Sequence, residues 1–150
     1  MAHRTHVPAA AAAVARIVKA LDAFCAAEGV PDDTAWTLRV ALDEIVANIV
    51  AYAGSAPAID VTFRRRTRGV EVIVADDGPA FDPLARPAPD VTLPLEARQP
   101  GGLGIALVRS LMDGVQYERT ARNVLTLWKR IGPDTAPDES KNNADPDKHS

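Results

Sequence analysis

The sequence predicts a two-layer α/β (α+β) sandwich, with helices on one face of a mixed, mainly antiparallel sheet. Three observations predict it. Residues 9–54 hold two stretches of helical periodicity, after which the apolar residues switch to period two. A proline-rich interval then leads into a glycine-opened helix and a second pair of alternating runs. No β–α–β alternation appears, which argues against a Rossmann arrangement.

The elements can be justified in order. Thr5–Val7 forms a short strand before Pro8. From Ala9 to Glu28, Val14, Ile17, Val18, Leu21, Phe24 and Cys25 recur at i, i+3, i+4 spacing, giving an amphipathic helix that Gly29 ends. Pro31-Asp32-Asp33 starts a second helix with an Asp as N-cap. That helix carries Trp36, Leu38, Ala41, Leu42, Ile45 and Ile49, and Gly54 stops it. Ile59, Val61 and Phe63 alternate with polar residues, as do Val70, Val72 and Val74 with Glu71, Ile73 and Ala75; Thr67-Arg68-Gly69 supplies the turn of a hairpin. Residues Pro83 to Pro100 read as an irregular loop, and a loop that long in a compact domain is usually functional or disordered. A helix over Ile105–Met112 and strands at Val115–Arg119 and Val124–Lys129, joined around Ala121-Arg122-Asn123, complete a single domain over residues 1–131. Residues 132–150 contain almost no apolar side chains and read as a disordered tail.

Composition narrows the function. In 150 residues, 47% are apolar and 25% charged, which is the globular norm, and the net charge of −3 gives no general attraction to nucleic acid or anionic membrane. The arginines at 64–66 and 68 lack interleaved aromatics, so they read as a solvated strand end and turn, with a docking patch for an acidic protein as the functional alternative. No apolar run reaches the roughly 18 residues of a membrane span, and the alanine-rich start, interrupted by Arg16 and Lys19, does not read as a secretory signal. One cysteine, Cys25, excludes an internal disulfide and fits a reducing, cytoplasmic setting; in its apolar run it reads as a buried hydrophobe. His3, His6 and His149 show no metal-ligand spacing. Trp36 and Trp128 read as core residues.

Three features point to chemistry. In LRVALDEIVANIVAYAG, Glu44 and Asn48 lie four apart on one helical face, at the border of the packed side, where polar groups need partners. An Asn carbonyl is a hard neutral oxygen suited to Mg²⁺, and a neighbouring carboxylate can deprotonate an attacking hydroxyl. In VIVADDGPAFDP, strand parity puts Asp76 on the face of Val70, Val72 and Val74 and turns Asp77 away; Gly78 lets the chain bend close to a ligand. In Gly101-Gly102-Leu103-Gly104, glycines before a helix let backbone N–H groups converge on phosphate oxygens, although no Lys-Ser/Thr follows as in a Walker A loop. Singly, these read more simply as a surface stripe, a strand-closing loop and a flexible joint. Their conjunction, in this order on these elements, is more specific.

That conjunction resembles the GHKL superfamily and its Bergerat ATP-binding fold. The E-x-x-x-N helix is similar to the N box, D-x-G to the G1 box and G-x-G to the G2 box. FDP after D-x-G, the proline-rich lid and GGLGIALVRSLMDGVQYER…NVLTLWKR resemble the RsbW/SpoIIAB anti-sigma-factor serine kinases over roughly residues 8–131. Tyr52-Ala53 and Thr120-Ala121-Arg122 depart from the family pattern, which often has a His in the first place and a Gly in the second.

The resemblance implies a histidine-kinase-like ATPase domain that uses ATP and Mg²⁺. Glu44 would be the general base, and Asn48 would coordinate Mg²⁺. Asp76 would bind adenine, with Gly78 and Ala80 beside it. Gly101, Gly102, Leu103 and Gly104 would cradle phosphates, Arg98 would reach the γ-phosphate and residues 83–100 would close as a lid. It further implies a serine/threonine protein kinase and anti-sigma regulatory factor, with a sigma factor and a STAS-type anti-anti-sigma protein as partners, and it suggests a homodimer. The competing expectation is a non-catalytic ATP-binding module that sequesters a partner.

Overall fold

The computed structural model describes residues 2–52, 58–79, 82, 84 and 102–132. Within them the elements run β1 (Ala2–Pro8), α1 (Ala13–Glu28), α2 (Asp32–Tyr52), β2 (Ala58–Arg66), β3 (Gly69–Asp76), α3 (Gly102–Leu111), β4 (Gly114–Arg119) and β5 (Asn123–Arg130). The expected order is present, with shifted ends. The first strand is longer because its whole length pairs with β2, from Ala2↔Arg64 to Pro8↔Ala58. Helix α1 starts four residues later than periodicity suggests, and it ends at Gly29, whose φ of 66° is the left-handed conformation glycine adopts without strain. In α2 the two aspartates lie in the first turn rather than at the cap: the Pro31 carbonyl accepts the Ala35 N–H at 2.9 Å, and Asp32 and Asp33 instead complement the helix dipole.

The five strands form one sheet in the order β1-β2-β3-β5-β4, with every neighbouring pair antiparallel. The expected mixed character is therefore absent. Helix α3 carries the chain past β3 to the far edge, where β4 runs parallel to β3, but β5 then turns back between them and separates the two.

One sheet face is apolar and buried, through Val61 and Phe63 of β2, Val70, Val72 and Val74 of β3 and Leu127 of β5. The helices cover it with Ile17, Leu21, Phe24, Leu38, Leu42 and Val46. The Phe24 and Phe63 rings stack at 5.4 Å between centroids, which ties α1 to the sheet. Cys25 is buried, as expected of a small hydrophobe, and burial followed by the nearby Asp22 charge pushes its thiol up to about 11, far from a reactive thiolate. Trp36 is a correction. It is 63% exposed, because it sits two positions before Leu38 and thus roughly 200° round the helix from the packed stripe. No helix among the described residues is long and apolar enough to cross a membrane.

Trp128, on the uncovered face, explains Gly69. A Cβ at Gly69 would lie 2.4 Å from the Lys129 carbonyl oxygen and 2.6 Å from the Trp128 ring, so the indole and the backbone of β5 occupy the space a side chain needs. Gly69→Ala should therefore destabilise the fold by about 1–3 kcal/mol. Urea unfolding will read this as a lower midpoint at an unchanged slope.

Candidate functional site

Polar groups interrupt the apolar seam between α2, α3 and the carboxyl end of β3. A cavity opens there. Ile45 and Ile49 of α2, Val74, Leu125 and Ile105 supply its apolar walls, and Asn48, Asp76, Tyr117 and Asn123 supply its polar ones. Asn48, Asp76 and Asn123 are each no more than 7% exposed.

Strand geometry delivers two of these. Asp76 follows Val70, Val72 and Val74 at period two onto the covered face, while Asp77 is exposed, so the parity read from the sequence matches the chain's path. Asn123 sits directly opposite Asp76 in the β3–β5 register. Its Nδ2 donates to Asp76 Oδ1 at 3.1 Å and to the Pro79 carbonyl at 2.9 Å, and its Oδ1 accepts the Tyr117 hydroxyl at 2.6 Å. The Gly78 N–H also donates to Asp76 Oδ1, at 2.9 Å. The arginines of the β4–β5 turn grip the same loop from outside. Arg119 donates to the Gly78 carbonyl at 3.0 Å, and Arg122 bridges Asp77 at 2.6 Å and Asp60 at 2.8 Å.

Helix α2 contributes Asn48. Its Nδ2 is enclosed and has no hydrogen-bond partner among the described residues. An orphaned buried amide normally carries a cost on the order of 1–3 kcal/mol, so the position suits a ligand that supplies the missing partner. A 180° turn about χ2 would present the amide oxygen instead, which is the donor type a hard cation takes. Among the described residues no group of three or more His, Cys, Asp or Glu could hold a metal. A Mg²⁺ held by one amide oxygen, with phosphates and water completing its shell, needs no such group.

Glu44 lies one turn before Asn48, half-buried, and is not part of the cavity wall. The backbone of Gly102–Gly104 forms the first turn of α3, and Ile105 directly after it borders the cavity. Ala80, Phe81, Arg98, Gly101, the expected lid over 83–100 apart from Leu84, and the tail beyond Gly132 lie outside the described residues. The arginine run is partly neutralised within the hairpin, since Glu71 lies 2.8 Å from Arg66 and 3.8 Å from Arg64.

Sequence reading missed Tyr117 and Asn123, having placed Asn123 in a turn. The available signal was parity: in NVLTLWKR, Asn123 shares a face with Leu125 and Leu127, and a polar residue on a buried face needs a reason.

A fold of this topology, with a carboxylate and an amide facing each other across a helix–sheet cavity, defines a class. Residues 7–129 match the family of histidine kinase-like ATPase domains, and the chain belongs to that family. Among its relatives, the serine/threonine-protein kinase BtrW of Bordetella bronchiseptica is 36% identical over 104 residues, 67% of this chain and 73% of the relative. The serine-protein kinase RsbW of Bacillus thuringiensis is 32% identical over 131 residues, 83% of this chain and 82% of the relative. The solved RsbU and RsbW domains of a Mycobacterium tuberculosis protein share the fold, with a TM-score of 0.63 at 18% identity; the likeness covers 87% of this chain and 32% of that one. The catalytic domain of the histidine kinase ThkA shares it at 0.50 and 16%, over 85% and 97% of the two chains.

The Arg122 bridge makes stability depend on pH. Burial raises the Asp60 carboxyl, but hydrogen bonds and charge from His6 and Arg122 outweigh it and hold the group below its ordinary 3.8. A lowered folded value stabilises the fold above the ordinary one, and that stability is lost as pH falls through the folded value. Arg122→Ala should thus melt earlier than wild type at neutral pH, with the gap closing below about pH 4; melting curves across that range measure it.

Proposed function

We propose that the chain is an ATP-dependent serine/threonine protein kinase and anti-sigma regulatory factor of the cytoplasm, phosphorylating a STAS-type anti-anti-sigma partner and holding a sigma factor inactive when that partner is phosphorylated or absent. The observation that carries the nucleotide reading is that the buried Asn48 amide nitrogen, without a partner among the described residues, and the buried Asp76 carboxylate line the same cavity. The kinase reading draws on the relatives, which are named serine- or serine/threonine-protein kinases.

In this reading the adenine lies between the apolar walls, its exocyclic amine donating to Asp76. The phosphates extend toward the first turn of α3, where backbone N–H groups and the partial positive charge of a helix N-terminus favour anions. Asn48 would hold Mg²⁺, which when bound supplies charge neutralisation on the phosphate oxygens. Glu44 would take the proton from a partner's seryl hydroxyl as the Oγ–Pγ bond forms and the bond from Pγ to the β,γ-bridging oxygen breaks, releasing ADP. Gly101, Arg98 and Ala80 are proposed nucleotide contacts from the resemblance.

A second reading has one observation in its favour. Glu44 stands off the cavity wall, as suits a module that binds ATP and sequesters a partner without phosphorylating it. Labelled ATP and a candidate partner separate the two: label on a partner serine supports the kinase, and stoichiometric binding with unlabelled protein overturns it. Glu44→Ala should keep ATP binding and lose transfer by about 10²–10⁴-fold. Asn48→Ala should weaken Mg·ATP binding itself, read as a smaller rise in melting temperature on adding Mg·ATP.

A further inference from the structure

The cavity contains a hydrogen-bond chain, Tyr117 to Asn123 to Asp76, whose first two members have no role in the proposed chemistry. We propose that Tyr117 and Asn123 are base-selecting residues: Asn123, held by Tyr117, joins the Gly78 N–H in filling one oxygen of Asp76 and leaves only the other oxygen to the base, so that the site takes a 6-aminopurine and disfavours guanine. This rests on the reading of Asp76 as the acceptor for the base.

The orientation of the Asn123 amide is fixed by its surroundings. Nδ2 faces three acceptors, namely Asp76 Oδ1 at 3.1 Å, the Pro79 carbonyl at 2.9 Å and the Gly78 carbonyl at 3.4 Å. The reversed amide would set its oxygen against a carboxylate and two carbonyls. At the other end, the Tyr117 hydroxyl donates to Oδ1 at 2.6 Å. The amide is therefore a donor toward Asp76, held in place from β4.

Asp76 Oδ1 then receives two donors, the Asn123 amide and the Gly78 N–H. Oδ2 has no hydrogen-bond partner among the described residues, although the residue is 6% exposed and lines the cavity. A buried carboxylate with one oxygen satisfied and one open suits a ligand that brings one N–H to it. The exocyclic amine of adenine does so, and the adjacent ring nitrogen is an acceptor that makes no second demand. Guanine presents two donors side by side, N1–H and N2–H. A carboxylate with both oxygens open pairs with the two parallel donors in two straight bonds, whereas one with a single open oxygen offers them only a bent, shared contact, which is weaker. Asn123, together with the Gly78 N–H, thus closes Oδ1 to the base, and Tyr117 keeps Asn123 in that role.

Calorimetric titration of the full chain with Mg·ATP and Mg·GTP tests this. Wild type should bind ATP more tightly than GTP by about tenfold or more. Asn123→Ala removes one of the two donors on Oδ1 and opens an acceptor position beside Oδ2, with the Gly78 N–H still on the other, so ATP affinity should fall while GTP affinity holds or rises, and the preference should shrink about tenfold. Tyr117→Phe should shift it in the same direction and by less, and it keeps the test intact if Asn123→Ala fails to fold. Equal weakening of both nucleotides in Tyr117→Phe, or an unchanged ATP-to-GTP ratio in either folded variant, overturns the proposal by reducing these residues to a structural role. Asp76→Asn separates that failure from the failure of the site itself: wild-type ATP affinity in this variant overturns both readings together.

Discussion

Asp76 imposes the constraint on which the site depends. Strand β3 is paired on both sides and covered on one face, so its last covered position places a carboxylate in the apolar seam beneath α2. A buried charge is tolerated only when it is hydrogen-bonded. The antiparallel β3–β5 register meets that need by setting Asn123 directly opposite, and the backbone meets it again by folding the Gly78 N–H back onto the same oxygen. Placing β5 rather than β4 beside β3 is what makes this possible, because β4 alone would put Arg119 and the turn, not an amide, at the end of the central strand.

The loop after β3 is held by the same hairpin. Arg119 reaches the Gly78 carbonyl, and Arg122 reaches Asp77 and, across the loop, Asp60 of β2. Burial lowers the Arg122 pKa, but its hydrogen bonds and charge pairing with the two aspartates raise it above the ordinary value, in keeping with a cation firmly engaged on both sides. Such partly exposed pairs add little stability individually. Their effect is positional: one arginine spans β2, the loop and the β4–β5 turn, and so fixes where Gly78 can lie relative to Asp76.

The fold was largely legible because its elements obey simple periods. Period two over 59–75 gave the central hairpin and chose Asp76 over Asp77, and helical spacing gave α1 and α2. Errors arose where a residue type was read without its phase. Trp36 and Trp128 are large and apolar, which suggests the core, but Trp36 faces solvent from its angle on α2 and Trp128 lies half-buried on the uncovered face of the sheet. Asn123 was placed in a turn because Asn favours turns, although its phase with Leu125 and Leu127 put it inside. Neither the all-antiparallel pairing nor the Asn123–Tyr117 contact could be read locally, since both depend on which strand lands beside β3. Arg98 and Gly101, at the phosphate end of the expected site, lie outside the described residues.

The two ends also differ physically. At the end of β3, Asp76 and Asn123 sit in a network of bonds among themselves, the loop carbonyls and Tyr117, with one carboxylate oxygen open. On α2, the Asn48 amide donor is enclosed without a partner. Preorganised groups discriminate between ligands, because a wrong donor pattern meets a fixed acceptor; groups left unsatisfied favour whatever completes them. In the proposed reading, base recognition is therefore built into the sheet before a nucleotide arrives. The phosphate and metal contacts are completed only by the nucleotide, on the helices. A division of this kind lets the helical side respond to the state of the phosphates without loosening the grip on the base.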